Sequence, residues 1–336
     1  MLCGWPLVVE TSKCAACPVC GSQVTDFFAR ARDVEYLTTD EQYEYRFCRD
    51  CHCVFLLRPP SDQLSVIYPA NYYSYRRETG ETSLADKIKE RLDRRLFNSL
   101  LNKLPGESLS VLDVGGGSGW LLTLMRHICP RITETHEVDI DDTARDAAEK
   151  SGHVFHCCRV EKFSSDRQFD LILMLNLIEH VPDPAAVLTT MHKLLSPQGL
   201  LLIKTPNHDT LDRRLFRNHN WGGFHCPRHF VLFDKDSLIQ LGTQCGLACR
   251  SAKYTQGAPQ WTTSALGYLY LRGWIRISRQ KPMYLHPLYS ACNMLFAAFD
   301  FLRLPFSKTA QMIVVFRRAE GDTGISDANA GDGARR

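Results

Sequence analysis

The sequence lacks several features that would assign it to a class at once. No run of about 18 uncharged apolar residues occurs among its 336 residues, so we predict no membrane-spanning helix. Its first residues contain no basic segment followed by an apolar core, and we therefore expect no secretory signal and a cytoplasmic protein. The net charge of +3, from 40 Lys and Arg against 37 Asp and Glu, gives no electrostatic footprint for nucleic acid. A hydrophobic fraction of 44% is typical of a soluble globular protein.

One glycine is missing where a dinucleotide site would need it. A dinucleotide-binding turn reads G-x-G-x-x-G, and its third glycine would stand at Trp120. The glycines before Trp120 still allow a tight turn and a close approach of the backbone to a ligand. The amides at the start of the following helix suit a polar or anionic group. The pattern is instead D-x-G-x-G-x-G, formed by Asp113, Gly115, Gly117 and Gly119.

The 14 cysteines are unevenly distributed, with six of them in the range 14–53. Without export, we expect thiols or metal ligands rather than disulfides. The chain has two C-x-x-C knuckles in this range. Two such knuckles can surround one zinc ion tetrahedrally, and four thiolates leave no open position for catalysis. We therefore predict a structural zinc site with the ligands Cys17, Cys20, Cys48 and Cys51.

The ligand set is not unique, because Cys14 precedes Cys17 by three positions and Cys53 follows Cys51 by two. A cluster of free or redox-active thiols is the alternative to a zinc site. The segment between the knuckles can hold a β-hairpin whose second strand is Tyr43–Phe47. A module this small cannot bury a sufficient core alone, so a metal would supply the missing stability.

Strands and helices alternate along the middle of the chain. The continuous apolar run 169–175 is typical of a parallel strand buried on both faces. Apolar residues at 84, 88, 92, 96 and 100 predict a helix leading into the sheet. The alternation predicts a doubly wound α/β fold with its ligand across the carboxyl ends of the strands. The predicted strands are 108–114, 135–139, 153–157, 169–175, 200–204, 249–254 and 312–316, and residues 196–199 are predicted to form a turn.

Asp139 ends the second predicted strand, about 20 residues after the glycines. A carboxylate at this place can accept hydrogen bonds from both hydroxyls of a ribose. Ile140 beside it would form an apolar wall for an adenine. Glu137 is a poorer candidate because it precedes the carboxyl end of the strand. The alternative is a solvated acid at the start of a helix, where Asp is common.

Several motifs together resemble the class I S-adenosylmethionine (SAM) methyltransferases. The glycine loop resembles the first motif of that family, and Asp139 stands where its ribose acid is found. The stretch 176–182, Asn-Leu-Ile-Glu-His-Val-Pro, and Thr205-Pro206-Asn207 resemble two further phrases. The resemblance covers residues 109–207 and implies SAM as cofactor and a seven-stranded Rossmann-like sheet with an antiparallel last strand. It implies the SAM-binding residues Asp113, Gly115, Gly117, Gly119, Asp139, Ile140 and Asn176.

The N-terminal segment 1–60, here called the cysteine module, resembles the zinc ribbons that precede some bacterial methyltransferase domains. The tyrosine-rich segment Tyr68–Tyr75 is similar to their connecting segment. The predicted domains are a zinc-ribbon-like domain (1–60), a linker with a leading helix (61–107), a SAM-binding domain (108–255), an aromatic helical insertion (256–308), the last strand (309–318) and a disordered tail (319–336).

Three histidines are candidates for the base that takes a proton from the methyl acceptor. His180 follows Glu179, and the pair resembles the E-x-x-E-H of ubiquinone-pathway O-methyltransferases, which can hold a divalent metal. Asn176 stands in place of the first acid, which argues against a metal there. The alternative is a structural or helix-capping Glu-His pair.

The other two histidines, His225 and His229, lie in a loop that resembles the "W.g…PRH…f" phrase of methyltransferases from polysaccharide and cell-envelope pathways. Either could take a proton near pH 7. Arg228 could pair bidentately with a phosphate or carboxylate of a ligand. The alternative is a packed loop in which His229 bonds to the backbone.

The segment 256–308 is longer than a hairpin connection needs and is strongly aromatic. Its basic residues lie between the apolar parts. We predict a lid or dimer helix with a buried face. An amphipathic helix at the inner face of the membrane is the alternative. The residues on one helical face are Leu288, Cys292, Leu295, Phe296, Phe299 and Leu302.

The resemblance predicts an enzyme that moves a methyl group from SAM to a small-molecule or lipid- or sugar-linked acceptor, with oxygen favoured over nitrogen and carbon. Methylation of ribosomal RNA and a non-catalytic SAM-binding scaffold are the alternatives. An enzyme that methylates amino groups of nucleic acid would have D/N-P-P-Y/F where this chain has Asn176–Glu179. A cytosine-C5 enzyme would have Pro-Cys, whereas this chain has Cys226-Pro227.

Overall fold

The computed structural model describes residues 16–72 and 84–319 of the chain. Several predictions fall on residues outside this description: Cys14, the first residues considered for a secretory signal, the end of the tyrosine-rich segment, and residues 320–336 of the tail predicted to be disordered. Ala319, the first residue of that predicted tail, is described, and its amide donates to the carbonyl of Gly246 over 2.9 Å. Numbered along the chain, the strands are β1 (Thr25–Ala31), β2 (Tyr43–Cys48), β3 (Val54–Leu56), β4 (Leu109–Val114), β5 (Ile132–Asp139), β6 (Val154–Cys157), β7 (Phe169–Leu175), β8 (Leu195–Pro206), β9 (Val231–Leu232), β10 (Leu247–Thr255) and β11 (Gln311–Arg318).

The α-helices of the described residues follow the periodicity of their apolar residues. The helix predicted to lead into the sheet is confirmed as α2, and the helix after the glycine loop is α3. The helices are α1 (Leu64–Ile67), α2 (Leu84–Leu101), α3 (Trp120–Ile128), α4 (Arg145–Lys150), α5 (Pro184–Leu194), α6 (Leu211–Phe216), α7 (Lys235–Gln244), α8 (Ala258–Leu271) and α9 (Pro287–Arg303).

The larger sheet has seven strands in the order β10-β11-β8-β7-β4-β5-β6. β11 is antiparallel to both of its neighbours, and the pairs from β8 to β6 are parallel. From β4 the chain continues to β5 and β6 on one side, and it returns to β7 and β8 on the other. The carboxyl end of β4 is therefore the switch point where a doubly wound sheet binds its ligand. The predicted seven-stranded Rossmann-like fold is confirmed, including its antiparallel last strand.

The two faces of the larger sheet are covered by different parts of the chain. Leu109 and Val111 of β4 belong to a core cluster that includes α2 and α3. Leu112 and Val114 belong to a second cluster that includes α5, α7 and the cysteine module. Because successive side chains of a strand point to opposite faces, the module packs into the core on the face opposite α2 and α3.

The turn predicted at residues 196–199 is wrong. β8 already begins at Leu195, opposite Phe169, and its next partner pair is Leu200 with Leu171. Four residues of β8, 196–199, therefore lie opposite the single residue Asp170 of β7, and the extra ones form an irregularity of the strand. Pro197 and Gly199 weaken a ladder and are typical of such irregularities.

The smaller sheet has the order β1-β2-β3-β9 and is antiparallel throughout. β1 and β2 form the hairpin predicted between the two knuckles. The last strand, β9, comes from residues 231–232, where Val54 pairs with Leu232 and Phe55 with Val231. This sheet crosses the boundary predicted at residue 60. The division into domains stays a prediction, but the module shares both a sheet and a core with the rest of the chain.

The aromatic insertion forms α8 and α9, which pack on each other through a stacked pair of Trp261 and Phe296. The predicted helical face from Leu288 to Leu302 lies on α9. Much of it is exposed, however: Leu295 is 66% and Leu302 is 73% accessible, so this chain alone does not bury that face. No helix among the described residues has both the length and the apolar character to cross a bilayer.

Candidate active site

The glycine loop connects β4 to α3. Gly115, Gly117 and Gly119 have φ values of 81°, 65° and 72°, in the left-handed region that favours glycine. Gly119 is the N-cap of α3, so the first amides of that helix face the loop. The sequence predicted this turn, and the structure places it at the switch point of the larger sheet.

Three carboxylates converge on the glycine loop. The amide of Gly116 donates to Oε1 of Glu137 over 2.6 Å, and the amide of Gly117 donates to Oδ2 of Asp139 over 3.0 Å. A Cβ atom at Gly116 would collide with the carboxylates of Asp113 and Glu137. A side chain at position 116 would therefore have to displace both carboxylates of this acidic cradle.

Two acids of the cradle each have an oxygen atom that lacks a hydrogen-bond donor in the described part of the chain. Oδ2 of Asp113 and Oε2 of Glu137 are buried and accept no hydrogen bond from the described residues. Burial, followed by the charge of Asp139, raises the pKa of Asp113 to about 7. Burial, followed by the charge of Asp113, raises the pKa of Glu137 well above its usual value. Because both oxygens are buried, a cationic group at the loop would act on them through its charge and favour their ionised forms, which is expected of a site for a positively charged cofactor.

Glu137 contributes more to the loop than the sequence analysis expected. It is fully buried, whereas Asp139 at the end of β5 is half-buried. Both residues point to the same face of β5 because they are two positions apart, and this alternation was visible in the sequence. Ile140, the predicted wall for adenine, is 47% exposed beside Asp139.

The segment after β7 lies against the glycine loop. A Cβ atom at Gly115 would be 3.2 Å from Cδ1 of Leu177, so the side chain of Leu177 packs against the backbone of the glycine loop. Asn176 has a φ of 54°, and its amide donates to the carbonyl of Lys204 over 2.7 Å. The left-handed region is sparsely populated by residues other than glycine, and residues held in it are often found at functional sites. Asn176 therefore ties the end of β7 to β8 just before the segment that carries His180.

The three candidate histidines come together in one cluster, the three-histidine cluster, although they belong to two separate segments of the sequence. The ring centres of His180 and His229 are 4.8 Å apart, and those of His225 and His229 are 5.0 Å apart. The amide of Phe230 donates to the carbonyl of Glu179 over 2.7 Å, which holds the two segments together. Contacts therefore continue from the glycine loop through Leu177 to all three rings.

His180 and His229 are held as neutral rings. Nδ1 of His180 lies 3.0 Å from the carbonyl oxygen of Arg228, and Nδ1 of His229 lies 2.8 Å from that of Gly223. A carbonyl only accepts, so each Nδ1 carries the proton. Burial, followed by the charge of His225, lowers the pKa of His180 to about 3. Burial, followed by the charge of His180, lowers the pKa of His229 well below its usual value.

Glu179 is a buried acid beside the three-histidine cluster. The hydroxyl of Thr205 donates to its Oε2 over 2.7 Å, while Oε1 accepts no hydrogen bond from the described residues. Burial raises the pKa of Glu179 to about 8. Ligand atoms of Glu179, His180 and His229 lie within 4.8 Å of one another. The fold therefore brings His229 beside Glu179 and His180, so that three potential metal ligands lie together although the first acid of E-x-x-E-H is absent.

His225 differs from the other two histidines because it is bonded to a carboxylate. Its Nδ1 lies 2.8 Å from Oε1 of Glu35, and its Nε2 lies 3.1 Å from the hydroxyl of Tyr72. Its φ of 37° is again in the left-handed region. Glu35 and Tyr72 were missed by the sequence analysis, because both lie more than 150 positions away in the chain.

A family described as "Methyltransferase domain" matches residues 82–252, just over half of the chain. The chain belongs to this family. It is a class I SAM-dependent methyltransferase, and SAM is its methyl donor, as the resemblance of its sequence motifs implied.

Two relatives that this methyltransferase resembles in sequence have the same name. The ubiquinone biosynthesis O-methyltransferase of Bradyrhizobium diazoefficiens is 25% identical over 181 residues, which cover 49% of this chain and 69% of that protein. That of Caulobacter sp. is 31% identical over 125 residues, which cover 36% of this chain and 50% of that protein. Among solved structures, a coclaurine N-methyltransferase bound to N-methylheliamine and SAH is 14% identical with a TM-score of 0.48, covering 76% of this chain and 79% of that chain. The fold assignment rests on the strand order and on the family match.

Arg228 of the methyltransferase does not face a ligand, which corrects the expectation that it would pair with a phosphate or carboxylate of the substrate. Its side chain is fully buried, and Nη2 lies 2.9 Å from Oδ2 of Asp33. Nε donates to the carbonyl of Ile67 over 2.8 Å, and Nη1 donates to that of Cys226 over 3.1 Å. A buried guanidinium needs an internal counter-charge, and Asp33 provides it.

The cysteine module brings together the four predicted ligands. The Sγ atoms of Cys17, Cys20, Cys48 and Cys51 all lie within 4.8 Å of one another. Sγ of Cys53 is also close, 3.4 Å from that of Cys17 and 3.3 Å from that of Cys51. Four converging thiols are the donor set that a tetrahedral zinc site needs.

Proposed function

We propose that the methyltransferase transfers the methyl group of SAM to a hydroxyl oxygen of a small molecule, either free or linked to a lipid or sugar. The observation that carries this proposal is the hydrogen bond between His225 and Glu35 in the three-histidine cluster. A hydroxyl has a proton to lose, and a histidine held by a carboxylate is suited to take it. The names of the two relatives support an oxygen acceptor.

We assign SAM to the cleft above the carboxyl ends of β4 and β5. Asp139 would accept the ribose hydroxyls, and Ile140 would cover the adenine. The buried acids Asp113 and Glu137 favour a cation near the loop, and SAM carries both a sulfonium and an ammonium group. The residues proposed around the methionine part are Asp113, Gly115, Gly117, Gly119 and Asn176.

SAM supplies an electrophilic methyl carbon when it is bound, so the protein has to align the acceptor and remove its proton. His180 and His229 each use Nδ1 on a backbone carbonyl, and their lowered pKa values make both rings weak bases. We therefore assign proton removal to His225. The other two rings would line the acceptor pocket.

We also propose that Cys17, Cys20, Cys48 and Cys51 bind one structural Zn²⁺. The support is the convergence of their four Sγ atoms at the base of the hairpin. A zinc ion would hold the turn at the first knuckle against the end of β2. It would thereby stabilise a four-stranded sheet that has little core of its own.

The exposed face of α9 supports a further proposal, peripheral contact with the inner face of the membrane. Apolar side chains on this face are largely exposed, and neighbouring Arg272, Arg276, Arg279 and Lys281 are also exposed. Apolar residues with flanking cations are typical of helices that lie at the surface of an anionic bilayer. A homodimer that covers the same face is the alternative.

Incubation with methyl-labelled SAM and fractionated cell extract tests the proposed function. We expect label in the lipid or small-molecule fraction. His225→Gln should lower the rate about 10²–10⁴-fold, whereas His219→Gln, an exposed histidine near the same loop, should not. Label confined to RNA would support an RNA methyltransferase. SAM binding without label in any fraction would support a non-catalytic scaffold.

A further inference from the structure

We propose that two residues outside the methyltransferase domain complete the catalytic site: Glu35 of the cysteine module positions His225, and Tyr72 of the connecting segment relays the acceptor's proton to it. This inference rests on the proposed function and names the path of the proton. The cysteine module would then take part in the chemistry instead of serving only as a structural appendage.

The hydrogen-bond chain has a defined direction. Oε1 of Glu35 can only accept while the carboxylate is ionised, so Nδ1 of His225 carries a proton and donates it over 2.8 Å. Nε2 of the same ring is then the basic nitrogen. The hydroxyl of Tyr72, 3.1 Å away, donates to it. The side chains of Glu35 and His225 are only 16% and 10% accessible, so water competes little for these bonds.

Glu35 is held firmly in place. Its amide donates to Oδ1 of Asp33 over 3.0 Å, and its carbonyl accepts from the amide of Met283 over 2.9 Å. Asp33 in turn pairs with Arg228, three residues after His225. The ion pair of Asp33 with Arg228 therefore links the segment of Glu35 to the segment of His225 a second time, beside the hydrogen bond between Glu35 and His225. A rigid support of this kind keeps a catalytic ring within hydrogen-bond distance of its partner.

Tyr72 is held by other aromatic rings. It is 5% exposed, and its ring centre lies 5.3 Å from that of Tyr36 and 4.9 Å from that of Tyr68. Tyr68 reaches the second histidine, because its hydroxyl lies 2.9 Å from Nδ1 of His180. The connecting segment therefore brings two hydroxyl groups to the three-histidine cluster, and Tyr72 is the one that meets the basic nitrogen.

The transfer step balances without a further reagent. The acceptor hydroxyl gives its proton to Oη of Tyr72, while the proton already on Oη moves to Nε2 of His225. The acceptor oxygen forms a bond to the methyl carbon of SAM. The bond from that carbon to sulfur breaks, and its electron pair stays on sulfur to give S-adenosylhomocysteine. The imidazolium formed at His225 faces the carboxylate of Glu35, which stabilises the new charge.

Two measurements on the full-length protein test the relay. The first is the initial rate of labelling of the lipid and small-molecule fractions of cell extract from methyl-labelled SAM. Glu35→Gln should lower this rate at least tenfold, Tyr72→Phe should lower it about 10²-fold, and Glu35→Asp should restore part of it. SAM affinity measured by calorimetry should stay within about twofold in all three variants. Glu44→Gln is the matched control, since Glu44 pairs with Arg30 and Arg46 elsewhere in the module.

The second measurement needs no acceptor. Ring-nitrogen NMR of ¹⁵N-histidine protein should show His225 protonated at Nδ1 and bare at Nε2, and Glu35→Met should shift the ring towards the other tautomer. A wild-type ring protonated at Nε2, or a Glu35→Gln protein that labels at the wild-type rate, would overturn the relay. If the wild-type protein labels no fraction, the proposed function fails, and the NMR result alone decides whether Glu35 positions His225.

Discussion

Asp33 and Arg228 form an ion pair in which both side chains are fully buried, with Oδ2 and Nη2 2.9 Å apart. Burial opposes the ionisation of Asp33, but the guanidinium outweighs it and lowers the pKa of Asp33 to about 2. A buried pair adds little net stability, yet it defines which surfaces meet. In this protein it fixes the cysteine module to the loop that carries His225 and His229.

Removal of one member of this pair should be strongly destabilising. Arg228→Met leaves the Asp33 carboxylate buried without its counter-charge, and we expect a loss of about 3–5 kcal/mol in the free energy of unfolding. Urea unfolding monitored by fluorescence measures it. Arg214→Met is the control, because Arg214 is exposed and its pair with Asp209 lies at the surface. Equal losses in the two variants would contradict this interpretation of the buried pair.

Glu179 should make stability depend on pH. Its pKa is about 8 in the folded state and near 4.5 when unfolded, so the folded state binds the extra proton. The stability that the neutral acid gives is complete below pH 4.5 and is lost as the pH rises through 8. Glu179→Gln keeps the neutral group, so its free energy of unfolding should exceed that of the wild type progressively over this range, by roughly 1.4 kcal/mol per pH unit. Urea unfolding at pH 5, 6.5 and 8 tests this, and parallel curves would refute it.

Asp139→Asn should weaken SAM binding. The variant loses a charged acceptor for the ribose hydroxyls, which corresponds to about 1.5–3 kcal/mol or roughly 10–100-fold in the dissociation constant. Isothermal calorimetry with SAM is the measurement. Asp142→Asn is the matched control, because Asp142 lies three residues later, is exposed and pairs with Arg145. Unchanged affinity in Asp139→Asn would remove this residue from the cofactor site.

Metal analysis of the purified protein should find one zinc per chain. Cys48→Ser should lose the ion and lower the melting temperature, whereas Cys249→Ser on the surface should do neither. Cys53→Ser should keep the zinc if the predicted set of four is right. Loss of zinc from Cys53→Ser would assign that thiol to the ligand set instead. A second equivalent of metal would point to the Glu179, His180 and His229 group.

The exposed face of α9 should bind anionic membranes. We expect the protein to sediment with phosphatidylglycerol vesicles and much less with phosphatidylcholine vesicles. Leu295→Gln combined with Leu302→Gln should weaken this binding at least about tenfold, because each leucine contributes up to about 1.5–3 kcal/mol when buried. Ser290→Gln, an exposed change on the same helix, is the control. Analytical ultracentrifugation that shows a dimer broken by the double variant, with no vesicle binding, would favour the dimer instead.

The sequence predicts the larger sheet well because its strands are long apolar runs with local signals. The run 169–175 becomes β7 with the predicted bounds, and the glycine loop is visible in ten consecutive residues. The surroundings of His225, by contrast, could not be predicted from local sequence signals. Its contact with Glu35 joins positions 190 residues apart, and no local pattern records such a pairing. Arg228 was misjudged for the same reason, because Asp33 is equally distant.

The pairing of β3 with β9 also has a consequence for how the chain is made. Val54 leaves the ribosome about 180 residues before its partner Leu232. During that interval the first three strands present the open edge of β3 and a cluster of reduced thiols to their surroundings. A metal captured early by those thiols would hold the first three strands in register until the rest of the polypeptide arrives, so zinc supply during synthesis, and not only in the finished enzyme, would govern the yield of folded protein.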